Sequence, residues 1–206
     1  MWLRIAIAAI AAACGFSPLP LQAQTGMPPA EQLLLPFSAE EWKSWKVGTQ
    51  GKRPGFTMVE YVPKAQTIQD WDRMLTVQIF HNSSFPLPLF MMGMKTAFET
   101  KQPCEQTKLQ AVGGKKINGY ETSLHRLICT RNKQNGKGEF TLMLGIQGRD
   151  ALYVVQRAWR GAAYSDDSGP LPKAELRSWL SFLEKIQVCD PRVPQQACPN
   201  GLQRGR

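Results

Sequence analysis

Histidine is scarce in this chain of 206 residues, which holds two, His81 and His125. Neither falls at ligand spacing from a cysteine and no CxxC pair occurs, which argues against a zinc-type metal site. The common catalytic signatures are missing as well: there is no GxSxG, no HExxH, no Walker loop and no helix-opening GxGxxG. Nothing therefore supports the chemistries those motifs carry, and no cofactor is expected. A hydrolytic triad needs a nucleophile, a base and an orienting acid. His81 ends a strand-like run and His125 sits inside another, and both are read as structural residues. Past residue 23 no apolar run approaches the roughly 20 residues of a membrane-spanning helix. Acidic residues are outnumbered, 16 Asp plus Glu against 25 Lys plus Arg, for a formal charge of +9. That surplus permits attraction to anionic surfaces without choosing among them.

Residues 1–23 read as a secretory signal, with Arg4 as the positive start and residues 5–13 as a short apolar stretch. The sequence SPLPLQA then ends in Leu21-Gln22-Ala23. A competing reading takes Ala11-Ala12-Ala13-Cys14 as a lipoprotein cleavage site, with a lipid anchor through Cys14. Either way the expected location is the periplasm or the exterior. Residues 24–36, with Pro28-Pro29, are expected to be a flexible lead-in. Residues 37–189 form the expected domain and residues 190–206 a tail. Cleavage after Ala23 leaves Cys104, Cys129, Cys189 and Cys198, an even number that suits an oxidising compartment. Local pairing, Cys104 with Cys129 and Cys189 with Cys198, is the preferred of three connectivities, closing loops of 25 (129 − 104) and nine (198 − 189) residues.

The most distinctive stretch is 56–82, FTMVEYVPKAQTIQDWDRMLTVQIFHN. Its second run alternates Leu75, Val77 and Ile79 with Thr76 and Gln78, the period of a half-buried strand. The run at 56–62 is the expected partner, both at the centre of a sheet, joined by a short helix-prone connector over 64–73. Ser38 and Glu41 fit a capping box. Pro88 suits the first turn of a helix over 89–101, whose apolar stripe is Leu87, Met91, Met94 and Phe98. Met91-Met92-Gly93-Met94 is read as core packing rather than a Cu(I) site. Strands are expected over 107–112 and 120–131, and from 140 and 152 onward, with Asn135-Gly136 as a hairpin turn. Leu176, Trp179, Leu180, Leu183 and Ile186 mark a last amphipathic helix. Asp166-Asp167 is read as a solvated step in a polar loop. Strands, a helix, a strand meander and a helix make a single α+β domain, an antiparallel sheet with helices packed on it.

Lys108, Lys115, Lys116, Arg131, Lys133 and Lys137 are candidates for an anion-binding patch near the meander loops. The segments Trp45-Lys46-Val47-Gly48, Met58-Val59-Glu60-Tyr61-Val62-Pro63 and Trp71 followed by Leu75-Thr76-Val77-Gln78 resemble small exported proteins of Gram-negative bacteria. The order of elements over residues 42–188 is similar to the PsbP-like α/β/α fold. The resemblance implies a non-enzymatic role in assembly or binding. The expected function is a non-catalytic periplasmic binding or accessory protein of the cell envelope, whose partner is an envelope protein or an anionic polymer rather than nucleic acid. The alternatives are an enzyme with an unrecognised site near His81 or His125, and a secretion-system or surface component that uses a basic patch. Any function is expected on the loops where His81 and Asn82 leave their strand.

Overall fold

Alternating side chains build the main sheet. Strand β4 (Arg73–His81) turns Leu75, Val77 and Ile79 to one face and Thr76 and Gln78 to the other, as a pleated strand requires. The computed structural model describes residues 31–83, 85–101, 104–165, 170–198 and 203–204. In it β4 pairs with β3 (Phe56–Pro63) on one side and β8 (Ala151–Ala162) on the other. The sheet has seven strands, in the order β2 (Trp45–Arg53), β3, β4, β8, β7 (Lys137–Gln147), β6 (Glu121–Cys129) and β5 (Thr107–Gly113). Every neighbouring pair is antiparallel. The pair formed by residues 56–82 lies off centre. β8 holds the middle, because the meander from β5 to β8 has four strands and returns its last beside β4. Its apolar residues Leu152, Tyr153, Val154 and Val155 are buried on both faces, as a central strand covered on both sides demands.

Helices cover both faces, giving an α+β domain of α/β/α layering. On one face α3 (Lys173–Glu184) buries Trp179, Phe182 and Leu183 against Val155, Leu144 and Leu75. The short α1 (Ala39–Trp42) lies there too, its capping box formed by Ser38 and Glu41. Arg157 of β8 points into this layer, its guanidinium 4.7 Å from the ring centroid of Phe182 and 5.2 Å from that of Trp179. Burial lowers its pKa to about 10, and among the described residues its Nε has no hydrogen-bond partner. On the other face α2 (Leu87–Lys101) sets Leu87 and Met91 on Leu127, Met143, Leu152 and Val154. Gly145 allows this approach: a Cβ there would stand 2.6 Å from Met91 Cε and 2.7 Å from Leu87 Cδ2. Met92 points outward, 62% exposed, so the methionine run is split between core and surface. The side chain of Phe98 lies outside the described residues, as do residues 1–30, with the secretory-signal reading, and Asp166-Asp167.

Three expectations are corrected. The lead-in is not wholly flexible: β1 (Gln32–Leu35) pairs with β9 (Gln187–Cys189) and with β10 (Gln203–Arg204) in a second, three-stranded sheet. Leu33, Leu35 and Val188 belong to the α3-side core, so burial of leucines holds this strand in place. The tail contributes β10 and is therefore more than a pinned end. The connector between β3 and β4 contains no helix. Thr67 Oγ1 accepts from the Asp70 amide at 3.1 Å and the Thr67 amide donates to the Asp70 carbonyl at 3.1 Å, which closes a turn in place of a helical start. Disulfides join Cys104 to Cys129 and Cys189 to Cys198, with Cα separations of 5.5 and 4.9 Å. Among the described residues no helix is long and apolar enough to cross a membrane.

Candidate binding site on the open half of the sheet

α2 covers half of its face of the sheet. The strand register shows what lies on the other half. Glu60 of β3 stands opposite Thr76 of β4, which stands opposite Gln156 of β8. The next row in that direction holds Met74, Ala158 and Thr141, and the one beyond it Arg160 and Glu139. Gln78 occupies the row nearer α2. Directly opposed residues of an antiparallel pair share a face, so these side chains converge. They line a cavity of about 300 Å³, closed at its sides by Met94 of α2 and by Ile68 and Trp71 of the connector. Trp71 is held there by Val62, Met74 and Ala158.

The lining is polar and buried. Thr141 is 1% exposed, Thr76 6%, and Gln156 and Glu139 each 8%. Arg160 donates from Nε and Nη2 to Glu139 Oε2 at 3.3 and 3.2 Å. Its guanidinium lies over the Trp71 ring, 3.9 Å from the centroid. Gln156 Nε2 donates to Gln78 Oε1 at 3.2 Å. Burial pushes the Glu139 carboxyl above the usual carboxylate range against the opposing pull of Arg160. Burial also raises Glu60, with Arg160 again opposing. The Glu60 carboxylate has no hydrogen bond or ion pair among the described residues, and Arg160 acts on it only at longer range. Beyond Trp71 and Arg160 a shallower recess is bordered by Asp70, Asp72 and Lys137.

The residues singled out in the sequence lie elsewhere. His81 is exposed at the end of β4 and shares a hydrogen bond with Thr57, Nε2 to Oγ1, at 3.0 Å. His125 shares one with Ser123, Nδ1 to Oγ, at 3.2 Å, and burial lowers its pKa. Neither lines the cavity. The six basic candidates are not gathered into one patch. Lys115 and Lys116 follow β5, while Lys108, Arg131, Lys133 and Lys137 lie at the opposite end of β5 and β6, about 20 Å or more away at 3.4 Å per residue. Lys116, Arg131 and Lys137 also pair with Glu121, Glu105 and Asp70 at 2.9, 3.7 and 3.0 Å. The cavity residues went unnoticed in the sequence because alternation alone makes Thr76 and Gln78 look like a solvated strand face. The readable signal was weak: polar positions on strands whose other face is mostly apolar.

No protein-family model matches the chain, and no curated protein matches it. Three solved structures are similar in fold. A mutant of the protein Mog1 shares 13% identity, over 74% of this chain and 84% of that one, with a TM-score of 0.36. LpqN, described as involved in cell envelope biogenesis of Mycobacterium tuberculosis, shares 12%, over 80% and 87%, at 0.36. The cyanobacterial PsbP of Synechocystis shares 15%, over 82% and 95%, at 0.37. At these values each is a likeness of fold alone, and no residue role is carried across.

Proposed function

We propose that this is an exported, non-catalytic binding protein of the cell envelope and that the cavity between α2, Trp71 and the face of β3, β4, β7 and β8 is its binding site. The observation that carries the reading is the buried polar lining of that cavity. Buried polar side chains are normally hydrogen-bonded within the protein, and Thr76 and Thr141, both buried, instead line the cavity with no hydrogen bond from their hydroxyls among the described residues, beside the half-buried Glu60. A concave pocket with a few convergent polar groups and carboxyls of raised pKa is the usual form of a binding site. Export is supported by the pattern of residues 1–23 and by the two disulfides, which persist in oxidising compartments.

Two measurements test this. Fractionation of cells producing the full chain should place the protein in the envelope or periplasm with its thiols blocked to alkylation. Native mass spectrometry after incubation with small molecules extracted from an envelope fraction should find a bound species that is lost in Gln156→Phe, which fills the cavity. Retention of the same species by a folded Gln156→Phe protein would rule the cavity out.

A further inference from the structure

We propose, resting on the binding reading above, that the cavity accepts a single organic cation, an alkylammonium or alkylguanidinium group with a short apolar stem, as the missing partner of Glu60. The charges on its walls point that way. Four carboxylates, those of Glu60, Glu139, Asp70 and Asp72, border the cavity and its adjoining recess against two cations, Arg160 and Lys137. This acidic locality sits in a chain of formal charge +9. Glu139 is already engaged by Arg160, Asp70 by Lys137 at 3.0 Å and Asp72 by Arg73 at 3.7 Å, which leaves Glu60 as the carboxylate without an ion pair among the described residues. Glu60 is half-buried, a carboxylate partly withdrawn from water gains from a cationic partner, and burial holds it above its ordinary pKa.

The neutral groups suit the same ligand. An ammonium carries three donors and no acceptor, so it asks its surroundings for oxygens. Thr76 and Thr141 supply hydroxyl oxygens, and Gln156 has an amide oxygen not used in its bond to Gln78. Ile68, Met74 and Met94 give the stem an apolar wall. The Trp71 face is already occupied by Arg160, which disfavours a sugar ring stacked on that indole. About 300 Å³ is the small end of the ligand-pocket range and matches one short amine or one basic side chain. Two carboxylates without a third ligating group do not make a metal centre, and no cluster of three or more such groups occurs among the described residues.

The test uses the full mature chain, isotope-labelled, titrated separately with n-butylammonium, n-butylguanidinium, valerate and methyl glucoside. Either cation should shift the Trp71 indole N–H and the Gln78 and Gln156 side-chain amides, and Glu60→Gln should weaken that binding about tenfold or more, the scale of one lost charge-assisted hydrogen bond. Glu121→Gln, on the exposed ion pair with Lys116, controls for general charge and should leave the affinity unchanged. The amide spectrum of Glu60→Gln verifies its fold. A blocked lysine, N-acetyl-lysine methylamide, separates the two sources of the cation. Tighter binding than n-butylammonium assigns a partner's side chain, and equal or weaker binding assigns a free amine. Shifts produced by valerate or methyl glucoside but by neither cation overturn the inference and leave the cavity as a binding site. Absence of shifts with every probe overturns both.

Discussion

Replacing Arg160 by methionine isolates the electrostatics of the cavity. The guanidinium makes two hydrogen bonds to Glu139 Oε2 and lies 3.9 Å from the Trp71 ring centroid. Removing one partner of a buried ion pair destabilises by about 3–5 kcal/mol, because the remaining charge stays buried. Here both side chains touch the cavity, at 16% and 10% exposure, so the lower end applies. Loss of the contact with Trp71 adds roughly 0.5–1 kcal/mol, while methionine keeps part of the packing of the arginine stem. The expected loss is about 3 kcal/mol near neutral pH, a large share of the ~5–15 kcal/mol that holds a domain together. Its pH dependence is a second check. Arg160 opposes the rise in the Glu139 pKa that burial causes, so the variant's folded-state value is higher still. A carboxyl raised above its unfolded value of about 4.3 contributes stability that is complete below that value and is lost as pH rises through the folded-state pKa. The deficit of Arg160→Met should therefore shrink from pH ~7.5 toward pH ~4.5, as Glu139 takes up its proton. Urea midpoints at constant m-value, with wild type measured at each pH, read this directly. Adding Glu139→Gln should recover more than half of the loss, since the stranded charge is then gone. A deficit under about 1 kcal/mol, one that ignores pH, or a double variant as unstable as the single would refute the reasoning, which rests on a stranded buried charge.

The two disulfides should differ in weight. By loop entropy, removing Cys104–Cys129, whose ends are 25 positions apart, should lower stability by about 3.5 kcal/mol, and removing Cys189–Cys198, nine apart, by about 2.6 kcal/mol; paired Cys→Ser variants in urea test the order. Arg157→Met should change stability by less than about 1 kcal/mol, because a buried cation with an unpaired Nε gives way to an apolar stem of similar length. Arg157→Ala should lose about 3 kcal/mol by opening a hole among the aromatic rings around it. His125 should titrate below the ordinary 6.5 in an NMR pH series, since burial lowers its pKa. Its contribution to stability is then present above the unfolded value and lost as pH falls through the folded one. A midpoint at or above 6.5 would contradict the burial argument.

The main sheet was legible wherever one face is apolar. Leu75, Val77 and Ile79, and Phe140, Leu142, Leu144 and Ile146, place their strands by period alone. The stripe through Trp179 and Leu183 places α3. The second sheet was not legible, because β1 is four residues long and its pairing is with residues more than 150 positions away in sequence. A run of leucines beside Pro36 carries no period that reveals so distant a partner. The connector from 64 to 72 was misread because a polar, helix-prone stretch closes instead on a turn, through the hydrogen bonds between Thr67 and Asp70 that a helix start could equally use. The basic candidates were close in sequence but are divided by a strand of nine residues, β6, a separation that follows from the hairpin register rather than from composition.

The cavity is the hardest case, since its residues follow the same alternation as a wet strand face. Burial and position distinguish the two. Along β8 one face runs Leu152, Val154, Gln156, Ala158, Arg160; along β7 it runs Met143, Thr141, Glu139; along β4 it runs Phe80, Gln78, Thr76, Met74. Beneath α2 the side chains are aliphatic or aromatic, and past Met94 of α2 polar ones enter on all three strands, interrupted by Met74 and Ala158 where Trp71 covers the face. A solvated face would leave such residues exposed, yet Thr76, Thr141, Gln156 and Glu139 are all buried. A face built for packing alone would continue the apolar rows, because burying hydroxyls and amides that lack full partners lowers stability. The polar rows are therefore neither a wet strand face nor sealed core: their hydroxyls and amides open onto the cavity, where a bound group would find hydrogen-bonding contacts already in place.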